Sequence, residues 1–163
     1  MSNRAETIET AKVWADAAVC KSDLVARLFS ISKSTRALSG LLLKEIALVV
    51  GQDQLLNALH HETPISVSAV SIALNVRPST ISKMTDRLVL KGLIERGFKS
   101  GDARISELRL THSGVIKRNE VHHVWVRLEE EICLASKVIT EGEMAATLNA
   151  IDDILRKRLS RLR

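Results

Sequence analysis

Tyrosine is absent from this chain, and Trp14, Phe29, Phe98 and Trp125 are its only Phe or Trp residues. Proteins that hold RNA loops or single strands stack bases on aromatic rings set among cations, so that class of surface is excluded. Cysteine is scarce too. Cys20 and Cys133 lie far apart and make neither a metal-ligand spacing nor a dense disulfide framework, which fits a reducing compartment. With two prolines, no repeat and no low-complexity tract, a flexible interdomain linker is not expected in the 163 residues. No run of about 18 apolar residues could span a bilayer, and the N-terminus lacks a basic start followed by a signal-like apolar core, so the expectation is a cytoplasmic protein without membrane contact. Catalytic signatures are missing as well: no G-x-S-x-G, no Walker loop and no dinucleotide fingerprint, while Glu129-Glu130-Glu131 reads as a solvated run. Neither an enzyme nor a bound cofactor is expected.

What the chain does have is charge, unevenly placed. Its net charge is +5, yet residues 77–118 hold ten Lys or Arg against four Asp or Glu, a net of +6. Residues 119–155 hold two against eight, a net of −6. A positive field focused on one segment steers a polyanion toward it.

That basic segment overlaps the most ordered pattern in the sequence, Ser66 to Thr111. Val67, Val70, Ile72 and Leu74 fall among polar residues and predict a short helix, with Ser66 as its N-cap and Asn75 closing it. Pro78 suits the first turn of a second helix, about Pro78 to Lys91, whose apolar set is Ile81, Met84 and Leu88. Gly92 is placed to be its left-handed C-terminal cap, with Leu93 folding back on the last turn. Two strands are predicted next, Ile94–Lys99 and Ile105–Thr111, joined by Ser100-Gly101-Asp102-Ala103-Arg104. The polar face of the second helix carries Ser79, Thr80, Ser82, Lys83 and Arg87, hydroxyls and cations that can reach phosphates and base edges in a major groove. Arg104 near the hairpin tip can enter a minor groove, where the negative potential is deepest.

The run L-N-V-R-P-S-T-I-S-K-M-T-D-R-L-V-L-K-G-L-I-E-R, followed by D-A-R and then L-R-L-T-H-S-G, resembles the winged helix-turn-helix of the MarR family of bacterial transcription regulators. The resemblance is close over about Gln52 to Gly114, and the flanking segments agree in length and pattern only. It departs from the family in the wing, where Asp102-Ala103-Arg104 stands for Asp-Arg-Arg, and at Arg77-Pro78, where a Ser or Thr cap is usual. The resemblance implies a mainly α fold with a small β-hairpin wing: dimerising or linking helices over 1–50, a winged helix-turn-helix lobe over 51–111, and dimerisation helices over 112–163. It further implies a dimeric repressor of pseudo-palindromic double-stranded DNA. The expected contacts are Ser66, Ser68, Arg77, Pro78, Ser79, Thr80, Ser82, Lys83, Arg87, Lys99 and Arg104. A small aromatic effector is expected in a crevice lined by Phe29, Leu38, Leu42, Leu55 and Leu59, with Arg27 or Lys33 holding its anionic group.

The flanks are helical in pattern. Apolar spacing predicts one helix from Glu6 to about Ser30, or a second beginning at Asp23, then Ser34–Val50 and a short helix over Gln52–His60. After the wing, Thr111 can cap a helix of about 25 residues striped by Val121, Val124, Trp125, Leu128, Ile132, Ala135 and Ile139. Thr140-Glu141-Gly142-Glu143 is a capping box opening a last helix striped by Met144, Leu148, Ile151, Leu155, Leu159 and Leu162. Stripes this long need a cover, and an identical chain is the economical one. His60-His61-Glu62 and His122-His123 lack the His-x3-His spacing of a helical metal site and read as surface histidines, so no metal is expected. Cys20 reads as a buried inert thiol rather than a redox sensor. The cations Arg156, Lys157, Arg158, Arg161 and Arg163 suit a helix C-terminus. The rival class is a winged-helix protein-interaction adaptor, which would not need Lys83, Arg87 and Arg104 together or show salt-dependent binding.

Overall fold

The computed structural model describes residues 23–99, 102–135 and 139–162, with backbone alone for 99, 102–105 and 135. Among them are six helices and a three-stranded antiparallel sheet. In chain order these are α1 (Leu24–Glu45), α2 (Gln52–Ala58), β1 (Ile65–Ser66), α3 (Val67–Ala73), α4 (Pro78–Leu90), β2 (Ile94–Lys99), β3 (Asp102–Leu110), α5 (His112–Ala135) and α6 (Glu141–Ser160). The chain divides into two compact units, residues 1–38 and 39–163. No helix among the described residues is long and apolar enough to cross a membrane.

Helix α1 corrects the expected break between Ser30 and Ser34. Residues 30–36 hold three serines and a threonine but no Gly or Pro, and the helix runs through them. It begins just after Asp23, as the second of the two alternatives had it, and the pattern expected for residues 6–22 lies outside the described residues. Its end falls at Glu45 rather than Val50, because Ala47 takes a left-handed φ of 57°. The Leu48 amide then donates to Leu43 O at 2.9 Å and the Ala47 amide to Lys44 O at 3.0 Å, closing the helix as a Schellman motif.

The core lies in the unit from residue 39 onward. Leu43, Leu48, Leu55, Leu56 and Leu59 pack with Val70, Ile81, Leu88, Ile94, Leu108 and Leu110, and α5 adds Val121, Val124 and Leu128. Asp53 at the start of α2 is buried yet partnered, its carboxylate accepting from the Gly51 amide at 2.8 Å and from Trp125 Nε1 at 3.3 Å. The bond from Trp125 ties α2 to α5, while the bond from Gly51 closes the first turn of α2.

The sheet differs from the expected hairpin in two ways. A third strand, β1, pairs with β3 through Ile65–Leu108 and Ser66–Glu107, giving the order β1-β3-β2. Strand β3 also starts at Asp102, three residues before Ile105, because Lys99 pairs with Asp102 and leaves a two-residue connection. The register shifts between Phe98, opposite Ser106, and Lys99, opposite Asp102, so the pairing is irregular across residues 103–105 of β3.

After the sheet, Thr111 caps α5 as expected, its hydroxyl accepting from the Gly114 amide at 2.9 Å and donating to Gly92 O at 2.6 Å. Only glycine fits at 114, since a Cβ there would stand 2.0 Å from Leu93 O. Of the α5 stripe, Val121, Val124 and Leu128 are buried, whereas Ile132 and, beyond the helix end, Ile139 are exposed. The Ala135 side chain lies outside those described. Helix α6 opens with the expected capping box. Glu143 accepts from the Thr140 hydroxyl at 2.7 Å and amide at 3.0 Å, and these bonds hold the Glu143 carboxyl below its ordinary pKa. No residue of α6 is buried.

Candidate nucleic-acid interface

Helices α3 and α4 form the helix-turn-helix, and local bonds set the angle between them. Ser66 is the N-cap of α3, its Oγ accepting from the Ala69 amide at 3.2 Å and lying 3.0 Å from Ser68 Oγ. Asn75 adopts φ 54° at the end of α3, a conformation that suits its short polar side chain. Ser71 Oγ donates to Val76 O at 2.5 Å, and the Val76 amide returns to Ser71 O at 3.0 Å, so the turn is held from both sides. The expectation for Ile72 is corrected. It lies two residues from buried Val70, about 200° round the helix, and is 78% exposed.

Helix α4 begins at Pro78 and ends at Leu90, with Lys91 and Gly92 (φ 68°) closing it. The Leu93 amide donates to Leu88 O at 2.9 Å and the Gly92 amide to Val89 O at 2.8 Å, which brings Leu93 back onto the last turn. Ile81, Thr85 and Leu88 face the core and Met84 is half-buried. Thr85 was not foreseen as a core residue, and its hydroxyl is buried without a partner. On the opposite face Ser79, Thr80, Lys83 and Arg87 are exposed and Ser82 is half-buried. Arg77 occupies the N-cap without a side-chain cap bond, so the positive end of α4 is open beside exposed Arg77 and Pro78.

Asp86 and Arg96 join at 2.9 Å and link the outward side of α4 to β2. Neither was singled out in the sequence, although Asp86 shares the outward arc with Ser79 and Lys83. Ser66, Ser68, Pro78, Ser82, Arg96 and Ser106 line a groove of about 360 Å³ between the two helices and the sheet. The structure thus brings Ser66, Ser68, Pro78 and Ser82 together around one concavity. Lys99 and Arg104 lie on β2 and β3, and their side chains fall outside those described.

Of the residues expected to line an effector crevice, Leu55 and Leu59 are fully buried, and Leu42 is 8% exposed in the same core cluster. Arg27, Phe29, Lys33 and Leu38 belong to the separate unit 1–38, with Phe29 exposed and Arg27 paired to Asp23 at 3.3 Å. His61 places Nδ1 2.8 Å from Leu110 O, which fastens the loop before β1 to the end of β3. Among the described residues no three His, Cys, Asp or Glu side chains group as metal ligands. Cys133 is half-buried and Cys20 lies outside the described residues. Arg156 pairs with Asp152 at 2.6 Å, and Arg163 is outside the described residues.

This helix-turn-helix and its sheet match the model of the MarR family over residues 51–106. The HTH-type transcriptional repressor MdtR of Bacillus subtilis (strain 168) is 38% identical over 66 residues, which are 40% of this chain and 43% of MdtR. The match therefore spans less than half the length of that curated relative. Among solved structures, a mutant of E. coli MarR complexed with operator DNA superposes with a TM-score of 0.70 at 21% identity, covering 85% of this chain and 99% of that one. The S. aureus MepR–DNA complex gives 0.69 at 20% identity, covering 80% and 96%. At such identities the likeness is one of fold: a MarR-type winged helix within a mainly helical chain.

Proposed function

We propose that this chain is a transcription regulator that binds duplex DNA with α4 in the major groove and the β2–β3 wing over the adjacent minor groove, and that it is not an enzyme. The observation that carries this is the outward face of α4. It presents Ser79, Thr80, Lys83 and Arg87 to solvent beside a helix N-terminus that no side chain caps. The names of MdtR, a repressor, and of the MarR and MepR complexes with DNA support it. Ser66 and Ser68 bond each other and sit at the groove's rim, so in this proposal they meet the phosphate backbone and leave base reading to α4. Lys99 and Arg104 complete the set from the wing.

The regulator acts as a two-fold dimer, with residues 51–111 as the binding lobe and the flanking helices as the dimerising parts. Support comes from α6, where Leu148, Leu155 and Leu159 are between 43% and 50% exposed among the described residues. Two copies of α4 would then sit about one DNA turn apart and read a pseudo-palindrome. Release by a small ligand is part of the same proposal and rests on the family expectation.

The test is a salt titration of a fluorescent duplex selected from a random pool by the protein. Affinity should fall steeply with salt as counterions are displaced. Lys83→Ala should cost ~1–3 kcal/mol if Lys83 makes a good base contact, or reduce the salt slope by about one if it meets a phosphate. Binding that is indifferent to salt would support the protein-adaptor class instead.

A further inference from the structure

We propose that Phe98 is a DNA-contacting residue of the wing, packing its ring on the deoxyribose edge of the minor groove beside the major groove that α4 enters; this rests on the DNA-binding reading above. The register of the sheet fixes where Phe98 faces. Side chains alternate along a strand, so Ile94, Arg96 and Phe98 share one face of β2, and their partners Leu110, Leu108 and Ser106 share it on β3. Ile94, Leu108 and Leu110 are buried in the core with residues of α2 to α5, so this is the face turned toward the helices. Arg96, one step further out, is bonded to Asp86 of α4. Phe98 is the next in the row. It lies past the cover the helices provide, 65% exposed, on the side of the sheet where α4 presents its polar face.

The pairing of β2 with β3 becomes irregular at the Phe98–Lys99 step, so Phe98 closes the regular part of the ladder. Phe98 is followed by Lys99 and stands two residues after Arg96, within residues 77–118, whose net charge is +6. That charge commits the occupant: it repels a basic partner and draws a polyanion. The apolar surface that a polyanionic duplex offers between its phosphates is deoxyribose, and a ring standing next to cations can cover it while the cations meet the phosphates on either side. One of only four Phe or Trp residues in the chain is thus exposed on the hairpin beside α4, continuous with the proposed interface. A contact of this kind displaces no counterions, so its share of the affinity does not depend on salt.

The experiment uses the full chain and a fluorescein-labelled duplex selected from a random pool by the wild type. Anisotropy is followed across a range of salt, and the active fraction of each protein is set by stoichiometric titration so that unfolded molecules are not counted. Phe98→Ala should bind about fivefold to tenfold more weakly at every salt with the slope of log affinity against log salt unchanged, as loss of a partly buried ring predicts. Phe98→Leu should keep most of the affinity. The proposal is overturned if Phe98→Ala binds within about twofold of the wild type, if it flattens the salt slope as loss of a cation does, or if Phe98→Leu is as weak as Phe98→Ala. Should the wild type select no duplex at all, the DNA-binding reading itself fails, a result distinct from a wild type that binds and a Phe98 variant that binds equally well.

Discussion

Helices α4 and α6 carry similar apolar stripes and end in opposite situations. In α4, Ile81 and Leu88 are fully buried and the polar face looks outward; in α6, Leu148, Leu155 and Leu159 stay near half exposed and no residue is buried. Their N-termini are reversed too, α4 opening on Arg77 without a side-chain bond and α6 on a complete Thr140–Glu143 box. A stripe shows that a helix needs cover, and only the packing shows whether its own chain supplies it. Helix α4 is finished on its apolar side and open at its charged end, which suits a ligand of opposite charge. Helix α6 is finished at its end and open along its side, which suits an apolar partner.

Breaking the covered side should have the largest effect. Leu88→Ala is expected to destabilise the winged lobe by about 2–5 kcal/mol through the cavity it leaves, by the same amount at every protein concentration. Chemical denaturation at two concentrations checks both statements. A loss that grew on dilution would place Leu88 at an interface and undo the contrast.

The open side should answer differently. Leu155→Asp puts a charge on the α6 stripe, and in the proposed dimer it should shift sedimentation from dimer to monomer and make melting depend on concentration. The separate fold of the 39–163 core should survive, as judged by near-native circular dichroism. A wild type that sediments as a monomer at micromolar concentration would remove the basis for a partner on α6.

The smallest effect belongs to the closed end. Because its bonds with Thr140 hold Glu143 below its ordinary pKa, the box contributes stability that is complete above the unfolded value and is lost as pH falls through the lowered one. The Thr140 amide should therefore exchange faster with solvent as pH drops through the acid range, after correction for intrinsic exchange. Glu143→Gln should flatten that dependence with little change near neutrality, since glutamine can still accept from the cap amide. The end of α4 has no box, and no matching change is expected at Ser79 or Thr80.

Which features could be read in advance follows from their range. The Ser66 cap, Gly92, the capping box and the outward set on α4 are each settled within about one turn of helix, and all stand in the structure as expected. Apolar spacing left the limits of helix α1 open, and the helix runs through residues 30–36, which include no Gly or Pro to stop it. Strand β1 is two residues long and exists only through Leu108 and Glu107, more than forty residues away. Leu55 and Leu59 looked equally suited to line a crevice or fill a core, since burial is not a local property.

By itself, then, the sequence determined the helix-turn-helix, its caps, its basic outward face and its family likeness, because these depend on residues three or four apart and on charge. Tertiary structure alone decided that Thr85 and Leu59 are core while Ile72 is not, that Arg96 reaches Asp86, that Phe98 stands exposed where the sheet pairing becomes irregular, and that no residue of α6 is buried among the described residues. The physical reason is that a stripe or a charge fixes what a side chain needs, whereas the partner that meets the need is set by where distant segments come to lie.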